Sequence, residues 1–189
     1  MTFKLLTVAL IAAAAGSAMA APDTYTIDSK HTYPSFEADH KGMSILRGKF
    51  TRNSGTVVLD RAAKTGSMEI TVDATSLDFG LEALNNHVKS PDGFDVAKFP
   101  TAVYKGKSIK FNGDTPALVE GELTLHGVTR PLNLVINKFK CAENAMTKKE
   151  VCGADASAEF KRTDFGIGIG GPAFAPEVRL QIEVEAFRN

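Results

Sequence analysis

The sequence predicts an all-β chain with one minor helix: an antiparallel meander closed into a barrel, or a sandwich. Three observations carry this. Apolar and polar residues alternate with period two along many short segments, turn residues recur between those segments, and one stretch, 81–100, has helical spacing instead. One apolar and one polar face per strand is the pattern of an antiparallel sheet with one side in water. Many short strands joined by hairpin turns argue for a barrel or sandwich.

The first element is not part of the fold. Lys4 gives a basic start, Leu5 to Ala15 is a continuous apolar run, and Ala18-Met19-Ala20 forms a cleavage site between Ala20 and Ala21. Residues 1–20 therefore read as a secretory signal peptide. The run is shorter than the ~18 residues of a membrane span, and no cysteine follows it to carry a lipid anchor. Residues 21–189 have the length of one ordinary domain.

Strand candidates then follow in order at 25–28, 35–39, 44–50, 56–60 and 67–74. Asn53-Ser54-Gly55 and Ala63 to Gly66 supply turns between them. In 81–100, Leu81, Leu84 and Val88 share a helical face, Pro91 stops the helix, and a short turn presents Phe94 and Phe99. In a barrel this segment packs over one end or against the wall. Strands resume at 101–106 and 108–111, turn at Asn112-Gly113-Asp114, and continue at 121–125, 132–136 and 156–162. Leu123 and Leu125 are expected to pair with Leu132, Leu134 and Ile136. The last segment is the clearest: Val178, Leu180, Ile182, Val184 and Ala186 oppose Arg179, Gln181, Glu183 and Glu185.

Charge and cysteine content exclude several functions. The chain has 22 basic and 22 acidic residues, and loss of Lys4 with the signal leaves 21 against 22, a net charge of −1. With no basic cluster there is no electrostatic footprint for nucleic acid. No second apolar run is long enough to span a bilayer. Cys141 and Cys152 are an even pair, and in an oxidising compartment they most simply form a disulfide across a polar loop. Such a bridge contributes up to about 3 kcal/mol on the chain-entropy model. Two free thiols are the alternative, and the spacing is not the C-x-x-C of a redox site.

Catalytic signals are weak. His31, His40, His87 and His126 are scattered without metal-ligand spacing, and there is no G-x-S-x-G elbow. The glycines of DFGIGIGGPAF, 164–174, precede Pro176 and a strand rather than a helix, so they bend a barrel rim instead of cradling a dinucleotide. In GELTLHGVTRPLNLVI, 121–136, His126 shares the polar face of Glu122 and Thr124. It reads as a turn residue, with contact to a ligand headgroup as the alternative.

Four stretches together carry a family resemblance: YTIDSKHTYPSFEADHKGMSILRGKF, FDVAKFPTAVYKGKSI, GELTLHGVTRPLNL and FKRTDFGIG. Their order and spacing resemble the YceI-like family of bacterial periplasmic proteins over essentially the whole mature chain. The sequence departs from it at Thr32 and Tyr33, where the family often has a serine, and in the cysteine-flanked insertion 141–152. The resemblance implies an antiparallel lipocalin-like β-barrel of about eight strands around a long apolar tunnel, with the helical segment near 81–98. It implies a periplasmic protein that binds a polyisoprenoid or an isoprenoid quinone, needs no other cofactor, and forms a homodimer in several members.

The inward strand faces then name a tunnel lining: Phe36, Ala38, Phe50, Met68, Ile70, Val72, Leu123, Leu125, Leu134 and Phe160, with Phe94 and Phe99 near the helix. A solid core built from the same residues is the alternative. The leading expectation is a carrier or scavenger that shields an isoprenoid lipid. The others are an enzyme acting on an amphiphile at the tunnel mouth through one of the four histidines, and an accessory that presents a quinone to a membrane redox partner.

Overall fold

The computed structural model describes residues 21–171 and 174–189; the signal peptide read at 1–20 lies outside them. The first strands are β1 (Asp23–Ile27), β2 (Tyr33–His40), β3 (Ser44–Phe50), β4 (Asn53–Asp60), β5 (Thr65–Asp73) and β6 (Leu77–Asp78). Helix α1 (Glu82–Lys89) follows. The second half holds β7 (Thr101–Asn112), β8 (Thr115–Leu125), β9 (Val128–Pro131), β10 (Leu134–Glu143), β11 (Glu150–Lys161) and β12 (Glu177–Arg188).

Antiparallel pairing runs β1-β4-β5-β7-β8-β10-β11-β12 and closes with β12 on β1, giving an eight-strand barrel. Closure removes the free edges that an open sheet would expose. β12 shows how the alternation becomes a wall. Val178, Leu180, Ile182 and Val184 face the interior cavity, while Arg179 on the outside pairs with Glu159 directly across the ladder at 3.5 Å.

Three neighbouring strands break at one height. β1 passes to β2 through 28–32, β3 to β4 through 51–52, and β5 to β6 through a 3-10 turn at Ala74–Ser76. Each break has its backbone groups satisfied locally. The Thr32 hydroxyl donates to the Glu185 carbonyl at 3.2 Å and accepts from the Glu185 N–H at 3.1 Å, filling the gap in the β12 ladder. Ser76 Oγ accepts from the N–H groups of Thr51 and Arg52. Above the breaks β2 stays on β12 and β3 on β2, but β6 reaches β3 for only the pairs Lys49–Asp78 and Phe50–Leu77. Where the strand wall runs out, the segment containing α1 takes its place, with Asn85 bonded to Asp78 Oδ1 and to the Phe79 N–H.

Several expectations from the sequence are corrected. The segments 101–106 and 108–111 are one strand, β7, with a bulge between Gly106 and Ser108. β8 begins at Thr115, and β11 at Glu150, before the expected starts. The inward face of β11 starts with Cys152, Ala154 and Ala156, residues too small to give a strong period-two signal. Leu123 and Leu125 pair with Arg130 and Val128, not with Leu132, Leu134 and Ile136. The two-residue turn at His126-Gly127, with φ of 51° and 75°, sets that register. β10 starts only after a break, where Leu134 pairs with Val119. On α1, Leu84 and Val88 face inward, whereas Leu81 just before it is 59% exposed.

Cys141 and Cys152 are bonded and lie directly opposite each other on β10 and β11. That end of the barrel is packed solid. Tyr25, Leu59, Ile109, Cys152 and Ala186 are all buried there and belong to one cluster. Beyond them the Tyr25 hydroxyl donates to Glu150 at 2.6 Å, and Arg61 holds both oxygens of the same carboxylate at 2.9 Å.

Candidate ligand cavity

The interior between this plug and the helical segment is a cavity of about 440 Å³. The lower wall is aliphatic, from Ile27, Val57, Ile70, Ile136 and Val184. Ala154 and Ala156 on β11 leave the space that larger side chains would fill. The upper wall is aromatic. Phe36 packs on Phe50 at 5.7 Å and edge-on to Phe79 at 5.4 Å, and Phe50 meets Phe94 at 5.9 Å. Phe160 stands edge-on to the fully buried Phe165 at 5.2 Å. These offset and edge-to-face contacts rigidify the upper wall without closing it.

The deep polar groups are already engaged. Tyr104 Oη donates to the Leu132 carbonyl at 3.0 Å, its phenol end lying over Gly121, where a Cβ would come within 2.6 Å of it. Burial pushes the Tyr104 phenol well above its ordinary range, which keeps it a neutral donor. Thr32 bonds both ways to Glu185. The remaining polar side chains on the wall, Asp39, His40, His87 and Arg162, sit at the end opposite the disulfide. That end is the mouth, bounded by the β2–β3 turn, α1 and the segment after Phe165.

All but one of the lining residues named from the sequence are on this wall: Phe36, Ala38, Phe50, Met68, Ile70, Val72, Phe94, Leu123, Leu125, Leu134 and Phe160. The exception is Phe99. Its ring packs against His126 at 4.4 Å with the planes tilted by 58°, and fills the space beside Gly127, so it braces the β8–β9 turn instead. Sequence reasoning missed Tyr104, Phe79 and Arg162. Phe79 follows the shortest strand, and Arg162 lies one residue past β11, so neither position is fixed by alternation.

Of the four histidines, His40 and His87 share the mouth wall, and His31 and His126 lie off it. His126 Nδ1 bonds the Phe165 carbonyl at 3.1 Å. His31 pairs with Asp28 at 2.7 Å, but its ring is largely exposed and does not line the cavity. The hydrogen bond that the His31 ring donates to Asp28 raises the His31 pKa above its usual value, and the same bond lowers that of Asp28. Among the described residues, two groups bring metal-ligating atoms together. Asp28, His31 and Glu185 bring one ligand atom each within 4.8 Å of the others, as do Cys141, Glu150 and Cys152. Both sulfurs of the second group are taken by the disulfide.

A closed antiparallel barrel with one helix and an apolar interior cavity is the architecture of a small-ligand container. The chain belongs to the YceI-like domain family, whose model matches residues 25–186. It is 33% identical to Protein YceI of Escherichia coli over 186 residues, covering 97% of this chain and 96% of that protein. It is 32% identical to a UPF0312 protein of Pseudomonas aeruginosa over 177 residues, covering 93% and 91%. Among solved structures, Burkholderia cenocepacia BcnA aligns with a TM-score of 0.69 at 24% identity, over 84% of this chain and 98% of that one. A polyisoprenoid binding domain from Saccharophagus degradans, implicated in plant cell wall breakdown, aligns at 0.62 and 14% identity, over 87% and 98%. These structural likenesses concern the fold.

Proposed function

We propose that this protein is a non-enzymatic container, exported to the periplasm, that carries or sequesters a polyisoprenoid or isoprenoid-quinone chain with its tail inside the barrel. Residues 1–20 act as the cleaved signal and 21–189 as the single binding domain. The observation that carries this reading is the apolar cavity whose deep polar groups are already bonded within the protein.

The energetics favour an occupant. The wall of the cavity of about 440 Å³ is almost wholly carbon. A hydrocarbon chain inside it gains ~0.8 kcal/mol per buried CH₂. An eight-isoprene tail would exceed ~30 kcal/mol gross on that scale, beyond the ~20 kcal/mol ceiling of non-covalent binding. Ordering the flexible chain offsets much of it. The outcome is tight binding set mainly by the tail. The disulfide suits an oxidising compartment, and the name of the S. degradans domain supports the ligand class.

Native mass spectrometry of the protein from its own host, before and after solvent extraction, tests the reading. A stoichiometric isoprenoid is expected. A protein that comes empty and takes up neither quinone nor polyprenol would overturn it. Leu125→Glu, which puts a carboxylate on the cavity wall, should abolish uptake. With a quinone aboard, the difference spectrum on reduction decides whether the cargo can also serve a membrane redox partner.

A further inference from the structure

The polar groups of the cavity sort by depth, and one of them differs in kind. Tyr104 and Thr32 lie deep and are satisfied by backbone. At the mouth, Asp39 Oδ1 accepts from the Gly42 N–H at 2.7 Å and is tied into the β2–β3 turn. The His40 ring packs against Phe174 at 5.3 Å. Arg162 is the one guanidinium on the wall among the described residues.

Its side chain is held in place from behind. Nη1 donates to the Ile167 carbonyl at 2.8 Å and Nη2 to the Phe174 carbonyl at 3.1 Å. A guanidinium carries five N–H donors, so donors remain after both bonds are made. Arg162 forms no ion pair among the described residues, and the acid across the strand end, Glu177, pairs with Lys161 at 3.9 Å instead. A half-buried cation with its position fixed, no ion-pair partner among the described residues and donors to spare stands at the open end of a mostly apolar cavity.

We infer that Arg162 reads the head of the bound lipid and selects heads that present oxygen acceptors, a quinone carbonyl or a phosphate, over an alcohol or a plain hydrocarbon end. The inference rests on the proposal that a lipid tail fills the cavity. Arginine is donor-only, weakly hydrated and planar, which suits it to oxygen acceptors at the edge of an apolar site. The depths give no such choice, because the polar groups there, Tyr104 and Thr32, are already bonded to backbone and the rest of the wall is carbon.

Binding of four probes to the delipidated wild type and to Arg162→Gln tests this: a ubiquinone, a polyprenyl phosphate, the polyprenol of the same length, and squalene. The wild type should hold the quinone or the phosphate about tenfold or more above the polyprenol, the scale of one hydrogen bond to a charged group. Which of the two it prefers identifies the head. Arg162→Gln should close that gap and leave squalene binding unchanged. Equal wild-type affinity for all heads, or an undiminished gap in the variant, overturns the inference. If the variant also weakens squalene, a crystal structure of the wild type with its tighter ligand decides. A head oxygen within ~3.2 Å of an Arg162 nitrogen supports the inference, and a head turned away from Arg162 overturns it. Failure of squalene and every other probe to bind the wild type would sink the container reading itself.

Discussion

His126 Nδ1 lies 3.1 Å from the carbonyl oxygen of Phe165, a bond that clips the β8–β9 turn to the 3-10 turn after β11. The contact spans 39 positions in the chain and is braced from the other side by Phe99. His126 at φ 51° and Gly127 at 75° are the two central residues of the hairpin turn. The histidine thus braces the β8–β9 turn and does not line the cavity.

Replacing it should cost stability rather than chemistry. His126→Ala loses the bond and places a residue that disfavours positive φ in the turn, for a loss of ~1–2 kcal/mol. His126→Asn should lose less, because asparagine tolerates this conformation. Urea midpoints rank the variants. A His126→Ala protein of unchanged stability with lipid uptake abolished would instead put His126 in contact with the ligand.

On the container reading, Ala154 and Ala156 of β11 set how much tail fits. Ala156→Phe adds a ring across the lower cavity, facing Ile136 and Ile182 on the neighbouring strands. It should keep or raise the stability of the empty protein while binding long polyprenols at least tenfold more weakly than short ones. Competition between two chain lengths gives the readout, and an unchanged length preference would show that the tail stops above Ala156.

Emptying the cavity should lower the melting temperature. A ligand at 100 times its Kd adds ~2.7 kcal/mol by mass action, and at ~2–4 °C per kcal/mol for a chain of this size extraction should lower Tm by roughly 5–10 °C. Added quinone or polyprenol should restore it. Calorimetry of the extracted protein with the same Tm as the loaded one would contradict the container reading.

The disulfide closes a short loop, with its cysteines 11 residues apart. Its two strands are already paired on both sides of the bridge, so the double variant Cys141→Ala, Cys152→Ala should lose ~1–3 kcal/mol, no more than the chain-entropy value for such a loop. Denaturation with and without reductant should show the same loss in the wild type. Complete unfolding on reduction would mean that the solid end of the barrel depends on the bridge.

Stability should fall at both pH extremes through one cluster. Burial, and then the hydrogen bond to Glu150, raise the Tyr25 phenol to about 12 from an ordinary 10.0. The folded state holds that proton more tightly than the unfolded chain, so the contribution is complete below pH 10 and drains away toward pH 12. Glu150 is the reverse case: the bond from Tyr25, with further help from Arg61, holds its carboxyl below 4.5. Its contribution is present above that pH and lost as the pH falls further. Tyr25→Phe should flatten part of the alkaline loss, with Tyr104 supplying the rest, and Glu150→Gln should flatten part of the acid loss. Urea titrations at pH 4, 7 and 11 measure both, and superimposable curves for wild type and variants would remove the cluster from the account.

The strands that could be read from sequence were those whose inward residues are large. β12, with Val178, Leu180, Ile182 and Val184, is complete in the alternation, whereas the first half of β11 is hidden by Cys152, Ala154 and Ala156. Pairing was less legible than strand identity, because the turn at His126-Gly127 and the break before Leu134 set the register of β8, and neither depends on hydrophobicity. The upper wall was readable from its phenylalanines, but Phe99 was assigned by proximity and lies on the far side of a turn. Arg162 follows the last residue of its strand, and only the path of the chain after it brings its guanidinium to the mouth.

The solid end formed by Tyr25, Leu59, Ile109, Cys152 and Ala186 makes the cavity a blind sleeve, not a pipe. If the cavity holds a lipid as proposed, a molecule drawn in tail first leaves head first through the same opening. Loading and discharge would then compete for one doorway, so that a donor and an acceptor could not engage it together. The direction of any transfer would be decided outside the barrel, by whichever partner gripped the exposed head more firmly.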